Sequence, residues 1–197
     1  MKIIEQSYEI IDIATDALEQ IEKAGRNCYQ SEPKGNPAKF VKMLRDKGHH
    51  AMLEFADMTV KFTTDRAMLA ELTRHRLCSF AVESQRYVKY IDMEFIRPIW
   101  FKDDPLDEAS HIWISQMRQA ENSYLNLLGA GLKPENARAV LPNSTKTVII
   151  LNANFREWMH IFNLRCSKYA HPQMRALMQP LQAEMQTMIP EVFENEN

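Results

Sequence analysis

The chain has 197 residues, of which 45% are hydrophobic and 25% are charged, and these values are typical of a single globular domain with a substantial core. Its net charge of -2 at pH 7 argues against a general polyanion binder, which needs a broad excess of lysine and arginine. The five glycines form no phosphate-binding loop pattern, so a nucleotide or cofactor would have to be held by side chains.

Cysteine usage and hydropathy indicate a cellular compartment. The three cysteines include no C-x-x-C pair, so we expect neither a disulfide framework nor a cysteine-built zinc site. No apolar run is long enough to cross a bilayer, and Glu5 interrupts the N-terminal apolar residues of what could otherwise be a signal peptide. We therefore expect a cytoplasmic protein that does not associate with a membrane.

The N-terminal residues predict a strand followed by a helix. Residues 2–13 alternate weakly in polarity and contain several isoleucines, which favours an opening strand. Asp16 and Glu19 have the spacing of a capping box. The helix that they begin is predicted to end at Gly25, and a polar loop is expected over residues 26–35.

A second helix is predicted from a cap and a first-turn proline, Asn36 and Pro37, with Gly48 directly after its end. His49 and His50 follow on a loop. Two adjacent histidines can be surface residues, metal ligands or substrate contacts, and no third ligand lies at a helical spacing from them. No metal site is therefore predicted.

The next segment carries the densest chemistry in the chain. Residues 58–63 alternate as a half-buried strand does, and residues 65–76 read as an amphipathic helix. Residues 74–87 then contain three arginines, one histidine and three hydroxyl-bearing side chains. Arginine donates to phosphate in two-point fashion, and serine adds a short donor, so this pattern indicates an anion site. The helix dipole alone could account for the cations at residues 74–76, but it does not account for Ser84 and Arg86.

The rest of the chain alternates strands and helices. Short strands are predicted over residues 87–91 and 93–96. The longest helix is predicted from Pro105, through Leu106, to about Leu128, and we interpret its aromatic and methionine side chains as core or subunit contacts.

Four further elements are predicted towards the C-terminus. A short helix is expected over residues 134–138 and a β-branched strand over residues 145–151. Asn154 and Glu157 have capping-box spacing at the start of another helix. Pro172 could begin the final helix.

Several motifs in this order resemble those of the flavin-dependent thymidylate synthases. Arg74-His75-Arg76 is followed, after seven residues, by Ser84 and then Gln85-Arg86-Tyr87, which resembles the family signature. Residues 48–54 resemble its "GH…LE" loop, and residues 137–142 resemble its "AR..LP" segment. Residues 154–165 match an "N.R" to "LR" run. The resemblance covers about residues 48 to 178.

The resemblance implies a fold and a reaction. The expected fold is α+β, with a central antiparallel sheet flanked by helices, in a single domain over residues 1–197. The expected enzyme is a homotetramer, with sites at subunit interfaces, that converts dUMP to dTMP. In this reaction 5,10-methylenetetrahydrofolate donates the carbon, and NADPH acts as reductant through FAD. A nucleic acid partner is not expected.

The resemblance also implies roles for individual residues. The expected flavin contacts are Ala51, Arg74, His75, Arg76, Asn154, Arg156 and His160, with His49 near both flavin and folate. The expected dUMP contacts are Glu71, Arg74, Ser84, Gln85, Arg86, Arg138 and Arg165. Within that second set, the phosphate would be held by Ser84, Gln85 and Arg86 with help from Arg138. Arg165 takes the catalytic role, because a fixed cation at the uracil ring stabilises negative charge as the base is activated.

The sequence departs from the family pattern at several positions. His160 stands where asparagine can occur, and residues 169–175 differ from the family's "HAQ.EIR" segment. Phe55 stands where histidine is common, and Ala51 stands where serine or threonine is usual. Val82 occupies a position that is often acidic, with Glu83 one residue later. These departures motivate one alternative, a catalytically silent relative that still binds dUMP. A second alternative is a helical nucleic-acid-binding module, which would bind long nucleic acids in a strongly salt-dependent manner.

Overall fold

The computed structural model describes residues 1–33, 35–101 and 107–194. Along the chain the strands and helices are β1 (Lys2–Ile4), β2 (Ser7–Ile13), α1 (Ala17–Tyr29), α2 (Ala38–Asp46), a 3-10 helix (His50–Phe55), β3 (Asp57–Asp65), α3 (Arg66–Leu72), β4 (Ser79–Val82), β5 (Glu94–Ile96), α4 (Glu108–Gly129), α5 (Pro134–Ala137), a second 3-10 helix (Arg138–Val140), β6 (Lys146–Asn154), α6 (Phe155–Arg165), α7 (Pro172–Met188) and α8 (Pro190–Phe193). No described helix combines the length and the apolar character that crossing a membrane requires.

A four-stranded antiparallel sheet has the strand order β2-β3-β6-β4. Alternate residues of β3 and of β6 are buried. The period-two pattern at residues 58–63 predicts this for β3, and β6 confirms the β-branched strand predicted over residues 145–151. A separate parallel pair joins β1 to β5, with Ile3 opposite Phe95. This combination of helices and sheet confirms the predicted α+β class.

The chain divides into two compact units. Unit 1 comprises Met1–Ser7, Phe62–Arg74 and Ala81–Ile149, and unit 2 comprises Tyr8–Lys61, His75–Phe80 and Ile150–Asn197. The single domain over residues 1–197 stays a prediction. Each unit has its own set of buried apolar side chains, and each is described separately below.

The core of unit 1 is built on α4. Trp113, Met117 and Tyr124 of this helix are buried together with Met93 and Phe95. The prediction that the aromatic and methionine side chains of this helix belong to a core is therefore confirmed. The predicted helix start at Pro105 and Leu106 lies outside the described residues.

The core of unit 2 is built on α6 and α7. Trp158 is fully buried, and its indole Nε1 donates to the backbone oxygen of Met58 at 3.0 Å. The Asn154 side-chain oxygen accepts from the Glu157 backbone N–H at 2.9 Å, so Asn154 caps α6 as its spacing from Glu157 predicts. This cap fixes where α6 begins, directly after β6.

The predicted end of α1 at Gly25 is wrong, because the helix continues to Tyr29. A Cβ atom at Gly25 would lie 2.8 Å from Phe40 Cε1 and 2.9 Å from Leu44 Cδ1. Gly25 is therefore required by the close approach of α2 and not by a helix end. Asp16 also makes no side-chain cap bond to the backbone; its carboxylate accepts instead from the Gln20 side chain at 2.6 Å.

The motif region also differs from prediction. The helix α3 ends at Leu72, so residues 74–76 lie beyond it, and the short strand β4 was not predicted. Residues 87–91 are not a strand. The Ser84 hydroxyl accepts from the Arg86 backbone N–H at 3.2 Å, and the Ser84 backbone oxygen accepts from the Val88 N–H at 3.1 Å. These local bonds fold the chain into a turn and use groups that a strand would need.

The predicted strand over residues 2–13 is divided into β1 and β2.

Candidate active site

The residues predicted to bind the nucleotide phosphate lie in unit 1, in the turn that follows β4. The Ser84 hydroxyl shapes this turn through its bond to the Arg86 N–H. The side-chain nitrogen of Gln85 is buried and has no hydrogen-bond partner among the described residues. A buried donor without a partner costs on the order of 1 to 3 kcal/mol, so a ligand acceptor at this position would relieve that cost.

Two arginines from separate elements meet at Glu135. Arg86 Nε lies 3.5 Å from Glu135 Oε2, and Arg138 Nε donates to the Glu135 backbone oxygen at 3.2 Å. The Arg86 side chain is 56% exposed and that of Glu135 is 37% exposed. An ion pair that is this accessible is weak, so an incoming anion can compete with the Glu135 carboxylate for Arg86.

Glu83 is bound within unit 1 by two side chains that the motif did not indicate. It accepts from the Tyr90 hydroxyl at 2.7 Å and from Lys146 Nζ at 3.0 Å. Burial first, and then the Glu83 carboxylate, raise the pKa of Tyr90, so this hydroxyl stays protonated and keeps donating. Glu83 is therefore held by Tyr90 and Lys146 directly before the turn that Ser84 begins.

Arg165, the residue predicted to be catalytic, is held by a buried histidine in unit 2. Arg165 Nε donates to His75 Nε2 at 2.9 Å. On the other side of the ring, His75 Nδ1 lies 3.5 Å from Glu157 Oε1. His75 and Glu157 are both buried, and the His160 ring packs edge-on at 5.9 Å from the His75 ring.

The protonation of His75 follows from these neighbours. Burial, then the Arg165 cation, then His160 lower the pKa of His75 to about 4, so the ring is neutral at pH 7. An arginine N–H can only donate, so Nε2 carries the lone pair and Nδ1 carries the proton. That proton faces the Glu157 carboxyl group, whose pKa is raised by burial.

His75, Glu157 and His160 each place a ligand atom within 4.8 Å of the others, which is a possible metal geometry. The bond from Arg165 argues against this use. It occupies the Nε2 lone pair of His75, and a fixed guanidinium beside the cluster would repel a cation. These three residues are better explained as a support for Arg165, in which His75 accepts its hydrogen bond and Glu157 and His160 pack around the His75 ring.

Two of the predicted flavin contacts, Arg156 and His160, line a cavity of about 680 Å³ in unit 2. Apolar side chains of the same helix, Met159 and Phe162, also line it. Arg156 Nη1 pairs with Glu54 Oε1 at 2.6 Å, and both side chains are largely exposed. This mixture of cationic, polar and apolar groups fits a cofactor that combines a heteroaromatic ring with a diphosphate.

His49 is oriented by a residue that the sequence did not indicate. The Tyr29 hydroxyl and His49 Nδ1 are 2.8 Å apart, and the two rings stack with centroids 6.2 Å apart. Tyr29 is the last residue of α1, within the segment predicted to be a loop. Ala51 lies nearby in sequence, exposed on the first 3-10 helix.

Cys78 and Cys166 are not poised as nucleophiles. Burial, and then the negative charge of Glu157, raise the pKa of Cys78 to about 12. Burial also raises the pKa of Cys166 to about 11. Both thiols stay protonated at neutral pH and are poor nucleophiles.

The predicted site residues fall into two sets. Unit 1 contains Glu71, Arg74, Ser84, Gln85, Arg86 and Arg138, and unit 2 contains His49, Ala51, His75, Arg76, Asn154, Arg156, His160 and Arg165. Arg74 and Arg76 are exposed beyond the end of α3. Within unit 1 the structure brings Arg86 and Arg138 together, and within unit 2 it brings together His75, His160 and Arg165.

The chain is similar to known proteins over most of its length. The family model described as "Thymidylate synthase complementing protein" matches residues 9–191. The chain is 35% identical to a flavin-dependent thymidylate synthase of Mycolicibacterium gilvum, over 88% of this chain and 77% of that protein. It is 33% identical to a probable flavin-dependent thymidylate synthase of Mycobacterium phage L5, over 91% of this chain and 81% of that protein.

A solved structure has a similar fold. The UMP/dUMP methylase PolB from Streptomyces cacaoi, crystallised with 5-Br dUMP, superposes with a TM-score of 0.82. The match covers 98% of this chain and 96% of that one, at 24% sequence identity. At this identity the likeness shows the fold alone.

Proposed function

The chain belongs to the family of flavin-dependent thymidylate synthases, and we propose that it converts dUMP to dTMP by reductive methylation. The proposed carbon donor is 5,10-methylenetetrahydrofolate, and the proposed reductant is NADPH acting through FAD. When bound, FAD supplies the hydride. The names of the relatives support a flavin, and the 5-Br dUMP bound by the similar methylase supports a uracil nucleotide as substrate.

The observation that carries this proposal is the unpartnered, buried side-chain nitrogen of Gln85. It lies between Ser84, which shapes the turn, and Arg86, whose Nε is close to Glu135. A phosphate oxygen would satisfy the Gln85 donor and would compete with the Glu135 carboxylate for Arg86. These residues of unit 1, with Arg138, which donates to the Glu135 backbone oxygen, are the proposed phosphate site.

Arg165 is the proposed catalytic residue. A uracil C5 is a poor nucleophile until negative charge is moved into the ring. A guanidinium at the ring stabilises that charge, by on the order of 3 kcal/mol for one well-placed donor. The planar fork of arginine suits this role better than a lysine ammonium, because it keeps a fixed direction once one of its nitrogens is bound.

The proposed flavin contacts are mainly residues of unit 2, and two of them line its cavity. Arg156 and His160 lie in its wall. The exposed side chains of Arg74 and Arg76 would also contact the flavin. Asn154 and Ala51 are the remaining proposed contacts. Arg156 would exchange its exposed ion pair with Glu54 for a cofactor contact, and such an exchange has a small cost. His49, oriented by Tyr29, is proposed to lie near flavin and folate.

The proposal includes an assembly and a location. We propose a homotetramer with sites at subunit interfaces. Light scattering during size-exclusion chromatography would measure the molar mass of the assembly. We also propose a cytoplasmic location, because Cys28, Cys78 and Cys166 are free thiols and such thiols are typical of reducing compartments.

The first test is an absorption spectrum of the purified protein before and after addition of FAD. The proposal predicts a bound flavin with bands in the visible range. The second test supplies dUMP, NADPH and 5,10-methylenetetrahydrofolate, and measures dTMP by chromatography. We expect dTMP only when all three are present. Protein that takes up no FAD would overturn the proposal.

Binding measurements with dUMP and with long nucleic acids, made beside the dTMP assay, separate the alternatives. Binding of dUMP without formation of dTMP would identify the catalytically silent relative, for which Phe55 and Val82 remain the sequence motive. Preference for long nucleic acids over dUMP, with affinity that falls steeply as salt increases, would identify the nucleic-acid-binding module.

A further inference from the structure

We propose that His75 and Glu157 are positioning residues, which act through Arg165 by holding its guanidinium in one orientation. The inference deepens the proposed function and rests on it in one respect, which is the contact of Arg165 with the nucleotide base. It gives His75 a role that differs from the flavin contact expected from the family resemblance.

The three side chains form a chain of contacts across one helix. Glu157 lies in the first turn of α6, and Arg165 is its last residue. The two residues are eight positions apart, which corresponds to roughly 12 Å along a helix, so the two side chains are far apart along the axis. His75 bridges them, with Nε2 at 2.9 Å from Arg165 Nε and Nδ1 at 3.5 Å from Glu157 Oε1.

The chemistry of the bridge has one consistent arrangement of protons. The Arg165 N–H needs a lone pair on Nε2, so the proton of neutral His75 lies on Nδ1, facing the Glu157 carboxylate. The opposite tautomer would set two N–H groups against each other at Arg165. Glu157 therefore selects the tautomer that can accept from Arg165, as a carboxylate does when it orients a histidine.

The surroundings keep this arrangement in place. His75 is 5% exposed and Glu157 is 6% exposed, so water does not compete freely for their polar atoms. The His160 ring packs against the His75 ring, and Arg165 is the cation that faces it. Both ring nitrogens of His75 thus face protein groups, which favours a role through Arg165 over direct contact with a cofactor.

The decisive pair of variants is His75→Gln and His75→Asn. A glutamine places its terminal polar atoms near the position of Nε2 and can accept from Arg165, whereas an asparagine reaches only the position of Nδ1. We expect His75→Asn to lower kcat by up to about 100-fold, the typical cost of misplacing a reacting group. His75→Gln is expected to keep a kcat at least roughly tenfold above that of His75→Asn.

Flavin occupancy and the KM for dUMP separate positioning from binding. We expect both His75 variants to bind FAD as the wild type does, measured by absorbance, and to change the KM for dUMP less than kcat. Loss of FAD from His75→Asn would favour the direct flavin contact and overturn the inference. Equal kcat values for the two variants would also overturn it.

Glu157→Gln provides a second variant, which keeps the size of the side chain. The loss of the carboxylate should lower kcat by roughly fivefold, about the difference between a charged and a neutral hydrogen bond. The matched control is Glu22→Gln, another buried glutamate of unit 2, which pairs with Arg26. We expect Glu22→Gln to leave kcat unchanged.

One readout is independent of turnover. Nitrogen NMR of histidine-labelled full-length protein at pH 7 should show the His75 ring protonated at Nδ1, with His75→Gln used to assign the signal. Protonation at Nε2 would overturn the inference even in an active enzyme. If the wild type makes no dTMP but His75 has the Nδ1 tautomer, the proposed reaction fails and the positioning role is retained.

Discussion

Arg86 and Arg165 are proposed to act on the same nucleotide, but their surroundings are opposite in character. Arg86 is 56% exposed and pairs at 3.5 Å with an exposed glutamate. Arg165 is bound at 2.9 Å to a histidine that is 5% exposed. A solvated cation can change partners at little cost, which suits reversible capture of a phosphate. A cation held by buried groups is oriented before the substrate arrives, which suits stabilisation of a transition state.

The largest effect should come from removing the preorganised cation. Arg165→Ala is expected to lower kcat by roughly 100- to 1,000-fold, because one fixed donor to the developing charge is lost. Flavin should stay bound, since the residue is assigned to the base. Single-turnover measurements with the FAD absorbance recorded in parallel would check this. If activity and flavin are lost together, Arg165 belongs to the cofactor site.

The buried support of Arg165 should also make stability sensitive to acid. The pKa of His75 is lowered from 6.5 to about 4 in the folded protein. The unfolded chain therefore takes up a proton first, and stability is lost as pH falls from about 6.5 to about 4. The loss should approach 3 kcal/mol at most. Urea unfolding between pH 7 and pH 4 measures it, and His75→Gln should flatten this part of the curve.

Removing the exposed cation should affect binding more than chemistry. Arg86→Ala is expected to weaken dUMP binding by about 10- to 100-fold, the usual range for a hydrogen bond to a charged group. The value of kcat at saturating dUMP should change much less. Titration calorimetry measures the affinity, and Arg118→Ala, at an exposed position of α4, is the matched control. Normal dUMP binding by Arg86→Ala would show that the phosphate assignment is wrong.

The smallest effect concerns the competing carboxylate. Glu135→Gln is expected to raise the affinity for dUMP by a few-fold, because Arg86 is released from an ion pair worth about 1 kcal/mol or less. Stability should change by no more than that amount. A loss of affinity comparable to that of Arg86→Ala would mean that Glu135 organises the phosphate site instead of competing for it.

The prediction of local structure succeeded where near neighbours in the chain decide it. The alternating residues of β3, the β-branched strand β6 and the Asn154 cap of α6 follow from the sequence, because each depends on a few adjacent side chains. Gly25 was misread as a helix end because its true constraint is the approach of Phe40 and Leu44 from another helix. The predicted strand over residues 87–91 is wrong because hydrogen bonds at Ser84 form a turn that uses the N–H groups of Arg86 and Val88.

The motif itself identified the family and the proposed site residues, and the family is confirmed by the comparisons. The motif did not indicate the supporting residues. Tyr29 beside His49, and Tyr90 and Lys146 at Glu83, come from distant parts of the chain. None of them belongs to a recognisable pattern, so spacing could not have found them.

The sequence by itself determined the α+β class, most of the helices and strands, and the identity of the cations available for the nucleotide and the flavin, because periodicity, caps and side-chain chemistry are local properties. Only the tertiary structure decided which cation is free to exchange its partner and which is already held. Burial and hydrogen bonding join residues as distant as His75 and Arg165, which are 90 positions apart. The protonation of His75 therefore depends on a packing arrangement that no local pattern encodes.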